Sequence, residues 1–250
     1  MKTVLITGAT SGIGLATAEL LSKDSYKLIL CGRRKNRLEN IKVKLSMKCP
    51  IHTLCFDISK RNEVEKAISS LTDEWSEIDI LINNAGNAHG MDPIDKGNID
   101  DWDAMIDINV KGLLYISRAV VPGMVTRKNG HIINIGSIAG REVYPSGNVY
   151  CASKSAVHAI SQGMRIDLNE YNIKVTQLDP GMVDTEFSII RFKGNKKRAD
   201  NVYREFEPLH AQDIAETILF VITRPAHVNI ADILIMPASQ ASATMVKKDI

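Results

Sequence analysis

Residues 7–14 read TGATSGIG, between the apolar run TVLIT (3–7) and the helical-looking LATAELL (15–21). In that setting the glycines Gly8, Gly12 and Gly14 allow a tight turn and a close backbone approach where a helix begins. The free N–H groups of a helix start attract a pyrophosphate. The plain alternative is a glycine turn joining a strand to a helix. The spacing also departs from the GxGxxG pattern of dinucleotide sites, so the flanking strand and helix carry the reading.

Outward from this loop the same alternation continues. Short β-branched runs recur as KLILC (27–31), IHTLCF (51–56), IDILIN (78–83), GHIINIG (130–136), IKVTQLD (173–179) and NIADILIM (229–236). Helical periodicity occupies Leu15–Leu21, Leu38–Leu45, Val64–Leu71, Trp102–Val125, Ser153–Leu168 and Ile214–Ile222. Strands apolar on both faces that alternate with helices predict a parallel sheet covered on both sides, an α/β doubly wound fold. We expect one domain over 1–250. The stretch 183–210 breaks the rhythm with polar and basic residues and reads as a substrate lid.

Composition narrows the class. Of 250 residues, 44% are hydrophobic and 24% charged, with a formal net charge of +2, which fits a soluble globular protein and does not point to a nucleic-acid or membrane partner. The basic cluster RFKGNKKR (191–198) lacks the interleaved aromatics of a nucleic-acid surface and reads as a solvated loop. Cys31, Cys49, Cys55 and Cys151 show neither CxxC spacing nor a disulfide framework, so no metal site is expected. The start MKTVLITG is too short for a secretion signal, and a cytoplasmic location is expected.

The second strand bears on the choice of dinucleotide. An NAD site needs an acid at its end, but KLILCGRRKNRL carries Arg33 and Arg34 there, donors suited to a 2′-phosphate. NADP is therefore expected, with solvated arginines at a helix start as the alternative. Asp57 in CFDIS either meets an adenine amino group or starts a helix. NNAG (83–86) ends the fourth strand, where a parallel sheet lines its ligand crevice, or else is an ordinary turn.

NVYCASK (148–154) sets Tyr150 and Lys154 four residues apart, on one face of a helix. Such a pair is common on surfaces. A phenol with an ordinary pKa of about 10 can nevertheless exchange a proton near neutrality if a cation lowers it, and Lys154 would be that cation. Ser137, closing GHIINIGS, could share the reacting oxygen with Tyr150.

TGATSGIG, NNAG, Asn109 in MIDINVKG, INIGS, YCASK and DPGMVDTEF occur in the order and spacing of the short-chain dehydrogenases/reductases, and the chain resembles that family over nearly its whole length. The resemblance implies a tetrad of Asn109, Ser137, Tyr150 and Lys154, with Asn109 supporting a proton-relaying water and Lys154 also holding the nicotinamide ribose. It places Gly8, Ser11, Gly12, Ile13, Gly14, Ile58, Asn84, Ala85, Gly86, Pro180, Gly181, Val183 and Thr185 around the cofactor, and it implies a strand order of 3-2-1-4-5-6-7. Helices 102–125 and 153–168 resemble those that build the family's homotetramer.

A closer resemblance, through DILINNAGNAHGMDP, AVVPGMVTRKNGHIINIGSIAG, TEFSIIRFKG and PAHVNI, is to the NADP-dependent 3-hydroxy acid dehydrogenases, which include serine and allo-threonine dehydrogenases and malonic semialdehyde reductases. It implies hydride transfer at the β-carbon of a small hydroxy or oxo acid. The carboxylate of such a substrate needs a cation in a site closed from water. Arg191, which opens the basic insert, is the first candidate and Arg141 the second; a solvent-facing Arg191 and an Arg141 paired with Glu142 or another surface acid are the alternatives. A reductase of steroids or acyl ketones is the rival enzyme, to be marked by a wide apolar mouth. A redox-sensing binding module would be expected to lack Tyr150 or Lys154.

Overall fold

The computed structural model describes residues 1–248. Seven strands form one parallel sheet: β1 (Lys2–Thr7), β2 (Tyr26–Gly32), β3 (Ile51–Cys55), β4 (Ile80–Asn83), β5 (Gly130–Ile135), β6 (Ile173–Pro180) and, last in sequence, Asp232–Ile235. Two further strands of two residues each, β7 (Val183–Asp184) and β8 (Leu209–His210), precede that last one, which is therefore β9. The sheet order is β3-β2-β1-β4-β5-β6-β9, all pairs parallel, as the resemblance implied.

The apolar strand runs are explained by burial on both faces. Along β1, Val4 and Ile6 point into one cluster with Leu28, Leu30, Leu38 and Ile218, while Leu5 points into the other with Ile29, Leu81, Ile116 and Val175; all have 0–1% exposure. The first face is covered by α1 (Gly12–Leu21), α2 (Lys35–Leu45) and a C-terminal helix, Ala211–Ile222. The second carries α3 (Arg61–Ser69), the short α4 (Asp73–Ser76), α5 (Ile99–Ile106), α6 (Leu113–Arg127) and α7 (Asn148–Leu168). Among the described residues, no helix is long and apolar enough to cross a membrane.

Two helices differ from the sequence expectation. The single helix over 102–125 is α5 and α6 joined through a π-helical turn, Asp107–Gly112, which holds Asn109. Helix α7 begins at Asn148, five residues before the predicted start, so Tyr150 and Lys154 both stand on it.

The insert has structure of its own. Helices α8 (Phe187–Arg191) and α9 (Lys196–Asp200) lie between β7 and β8, whose pairing of Val183 with Leu209 and Asp184 with His210 closes the excursion at its neck. Ala211–Ile222 is then α10. Tyr203 donates to the Val183 carbonyl at 2.8 Å and holds the excursion against that neck.

Thr7 joins the fold to the crevice. Its hydroxyl donates to the Ile82 carbonyl (3.3 Å) and accepts from the backbone N–H of Asn84 (3.0 Å) and Ala85 (2.9 Å), so the end of β1 holds the turn after β4. Thr7→Val keeps the shape but leaves two inward N–H groups without this acceptor. It should cost roughly 1–3 kcal/mol in chemical denaturation, whereas Thr7→Ser should stay within about 0.5 kcal/mol.

Candidate active site

A cavity of about 550 Å³ opens along the carboxyl edge of the sheet. Gly8, Ser11, Gly12 and Ile13 form its wall after β1, and Gly8 and Gly12 have φ of +66° and +51°, which side-chain-bearing residues rarely adopt. Gly14 does not line the cavity but permits a close approach behind it, since a Cβ there would lie 2.5 Å from the Gly8 carbonyl oxygen. Ser11 caps α1 without a side-chain bond to the helix, and its hydroxyl instead accepts from Arg34 at 2.7 Å.

Arg33 and Arg34 line the same cavity after β2. Arg34 donates from Nε (2.9 Å) and Nη2 (2.7 Å) to the Thr10 hydroxyl and from Nη1 to Glu186 (2.8 Å). Arg37 donates from Nη1 to both carboxylate oxygens of Glu186, at 2.8 and 2.9 Å. Arg33 faces Asp57 at 3.4 Å. After β3 it is Ile58 and Phe56 that line the cavity, and Asp57 is not among the lining residues. Burial alone would raise the Asp57 carboxyl, but hydrogen bonds from the Ser59 backbone and hydroxyl, and then Arg33, hold it below its usual range. Helix α3 starts at Arg61 with Lys60 as its N-cap, so Asp57 does not start it and instead holds the turn at Ser59.

Beyond β4, Asn84, Ala85 and Gly86 line the cavity, and the Asn84 amide braces the glycine loop by donating to the Thr7 (2.9 Å) and Gly8 (3.3 Å) carbonyls. Pro180, Gly181, Val183 and Thr185 line it beyond β6.

Ser137, Tyr150 and Lys154 meet in this cavity. Asn109 stands behind them, 2% exposed: its Oδ1 accepts from the Asn87 N–H (2.8 Å), and its Nδ2 donates to the Asn87 carbonyl (2.8 Å) and the Ser153 hydroxyl (3.0 Å). Both ends of that amide are engaged. Its observed contacts therefore brace the segment after β4.

Burial pushes the Tyr150 phenol well above its ordinary value of 10.0, and Tyr144 adds to this. A hydrogen bond with Ser137 and the charge of Arg191 pull it back. Lys154, one turn further along α7, is 7% exposed. Its Nζ is turned to the Ile135 carbonyl at 2.9 Å, and burial lowers the ammonium from 10.5 to about 8, with Asp179 opposing. Arg191 stands with its guanidinium carbon 5.7 Å from the Tyr150 ring centre and 5.4 Å from that of Tyr144, while its Nε donates to the Gly90 carbonyl at 3.2 Å.

Comparison with known proteins places this arrangement. Residues 2–195 match the family model described as short chain dehydrogenase. The chain belongs to the short-chain dehydrogenase family. Among members of known name, the NADP-dependent 3-hydroxy acid dehydrogenase YdfG of Escherichia coli O6:H1 is 46% identical over 241 residues, 96% of each chain. Serine 3-dehydrogenase of Agrobacterium fabrum is 41% identical, again over 96% of each chain. A closed form of serine dehydrogenase complexed with NADP⁺ superposes with a TM-score of 0.93 at 44% identity, covering 99% of this chain and 100% of that one.

Within this family member, the second candidate for the substrate carboxylate falls away. Arg141 is absent from the cavity lining; it donates from Nε to the fully buried Asp179 at 2.5 Å and from Nη2 to Asp232 at 3.3 Å. Two acids on β6 and β9 hold it, and the first of them is buried rather than the neighbouring Glu142 or another surface acid. Sequence reasoning missed Thr10, Arg37 and Glu186. Arg37 lies three residues after Arg34 on the start of α2, a spacing that could have shown it, but Glu186 is 152 residues from Arg34 and carried no such sign.

Lys154 provides a test of this electrostatic picture. Its proton leaves near pH 8 in the folded chain and near 10.5 in the unfolded one, so between these values the unfolded chain binds more protons and stability rises with pH. From about pH 7.5 to about 9.5 the protein should gain roughly 2 kcal/mol of unfolding free energy relative to Lys154→Met. Parallel denaturant curves for the two proteins would show that this lysine is not desolvated.

Proposed function

We propose that this protein is an NADP-dependent oxidoreductase that transfers a hydride between the nicotinamide and the β-carbon of a small 3-hydroxy acid, with Tyr150 carrying the proton. The observation that carries this reading is a buried phenol that shares its cavity with Ser137 and Lys154, with the Arg191 guanidinium carbon 5.7 Å from its ring centre and Arg33 and Arg34 lining the same cavity. The names of relatives 41–46% identical, 3-hydroxy acid and serine dehydrogenases, support the substrate class.

The residues fit a bound dinucleotide. The positive-φ glycines leave backbone exposed at the start of α1, and at Gly86 a Cβ would come within 3.2 Å of Asn109 Oδ1 and 3.5 Å of Lys154 Nζ, so that wall is kept free of side chains. The nicotinamide, when bound, supplies or accepts the hydride. Gly8, Ser11, Gly12 and Ile13 would hold the pyrophosphate side, Arg33 and Arg34 the 2′-phosphate, and Pro180, Gly181, Val183 and Thr185 the nicotinamide side. Lys154 would hold the nicotinamide ribose.

In reduction Tyr150 gives its proton to the carbonyl oxygen, and in oxidation it takes the hydroxyl proton. The Ser137 hydroxyl accepts from the Ala139 N–H (3.1 Å), which leaves its own proton for that oxygen. Asn109 keeps the segment after β4 in place through Asn87. Because burial favours the protonated phenol, reduction suits neutral pH and oxidation should quicken as pH rises. Oxidation of a 3-hydroxy acid yields a β-carbonyl acid, which can lose carbon dioxide without further help.

A second reading has one observation in its favour. The insert's basic residues Lys193, Lys196, Lys197 and Arg198 are exposed, whereas Phe187, Ile190, Phe192 and Val202 line the cavity. The apolar wall that marks a broader ketone reductase is therefore partly present, and residues 183–210 would act as its lid.

Turnover with NADPH or NADP⁺ across serine, 3-hydroxypropionate and an uncharged alcohol of similar size separates the readings. Arg191→Met should raise KM for the acids by roughly ten- to a hundredfold, the loss of a charge-assisted contact, and for the uncharged alcohol by about twofold or less. Equal losses on both would remove Arg191 from carboxylate recognition.

A further inference from the structure

We propose that Glu186 is an internal competitor for the cofactor's 2′-phosphate: its carboxylate holds the anion subsite formed by Arg34 and Arg37 and has to yield it when NADP binds. This rests on the assignment of Arg34 to that phosphate.

The donor inventory of Arg34 carries the inference. Of its five N–H groups, Nε and one Nη2 hydrogen go to the Thr10 hydroxyl, the other Nη2 hydrogen to the Ser11 hydroxyl, and one Nη1 hydrogen to Glu186. A phosphate with three acceptor oxygens can gain a paired edge of this guanidinium only by displacing a partner. Thr10 and Ser11 belong to the glycine loop and fix the guanidinium where a phosphate must approach. Glu186 is the one anion among the partners.

Glu186 is also suited to leave. Its side chain is 41% exposed, against 39% for Arg34 and 47% for Arg37, and among the described residues its carboxylate has only the two arginines as hydrogen-bond partners. Asp57, the other acid beside this arginine set, differs: the Ser59 backbone and hydroxyl pin one of its oxygens at 2.9 and 2.8 Å. A phosphate monoester carries a charge of about −1.5 to −2 at pH 7 and outweighs a single carboxylate for the same two cations. NAD has no group there and leaves the ion pair untouched, so Glu186 weakens NADP binding selectively. Glu186 also directly precedes Phe187, whose ring centre is 5.6 Å from that of Tyr150, so one short segment spans the phosphate subsite and the reacting centre.

Calorimetric titration of the whole protein with adenosine 2′,5′-bisphosphate and with 5′-AMP, which differ only in the 2′-phosphate, tests this. Glu186→Gln is close in shape and removes the charge. It should bind the bisphosphate roughly three- to tenfold more tightly, with the gain shrinking at high salt, and should change 5′-AMP affinity by less than about twofold. Unchanged or weaker binding of the bisphosphate by Glu186→Gln, with Arg34→Ala weakening it, would overturn the competition and leave the subsite standing. Unchanged binding by Arg34→Ala would overturn both.

Discussion

Strand β1 is hydrogen-bonded to β2 on one side and to β4 on the other, and much of the molecule depends on that double pairing. The chain builds outward through β2 to β3, then returns across β1 to continue as β4, β5 and β6. The connections after β1 and β4 therefore leave the sheet in different directions and open a crevice between them. A parallel sheet brings all its carboxyl ends to one edge, so residues far apart in sequence converge there: the glycine loop, Arg34, Asn84, Ser137 and Gly181 each follow a different strand. Thr7 holds the two sides of the switch together at the point where they diverge.

The features legible in the sequence were those with local causes. Buried strands announce themselves because both faces must be apolar, and the glycine loop because few other residues adopt its backbone. Tyr150 and Lys154 share a helix face through spacing alone. What stayed hidden depends on distant partners. Arg141 follows Ser137 by four residues yet turns away, because Asp179 on β6 and Asp232 on β9 hold it, and no local pattern shows those pairings. The direction of the Tyr150 shift was likewise out of reach: a lysine one turn away suggests a lowered phenol, but burial raises the phenol and lowers the ammonium once α7 packs over the sheet.

The insert repeats this lesson. Its sequence reads as basic, and a charge count treats its two sides alike. Folded, it turns its lysines outward and presents Phe187, Ile190 and Phe192 to the cavity, with Arg191 brought beside Tyr144 and Tyr150. Its first turn also places Glu186 against Arg34 and Arg37. One segment thus lines the crevice beside Tyr150 and meets the arginines after β2.

The proposed hydride transfer depends most directly on Tyr150 as its proton carrier. Steady-state turnover of Tyr150→Phe, measured beside NADPH binding by fluorescence titration, examines this with the ring and its packing retained. Turnover lower by roughly two orders of magnitude or more, with NADPH affinity within about twofold of the parent, is the predicted result. Turnover close to that of the parent would contradict the account.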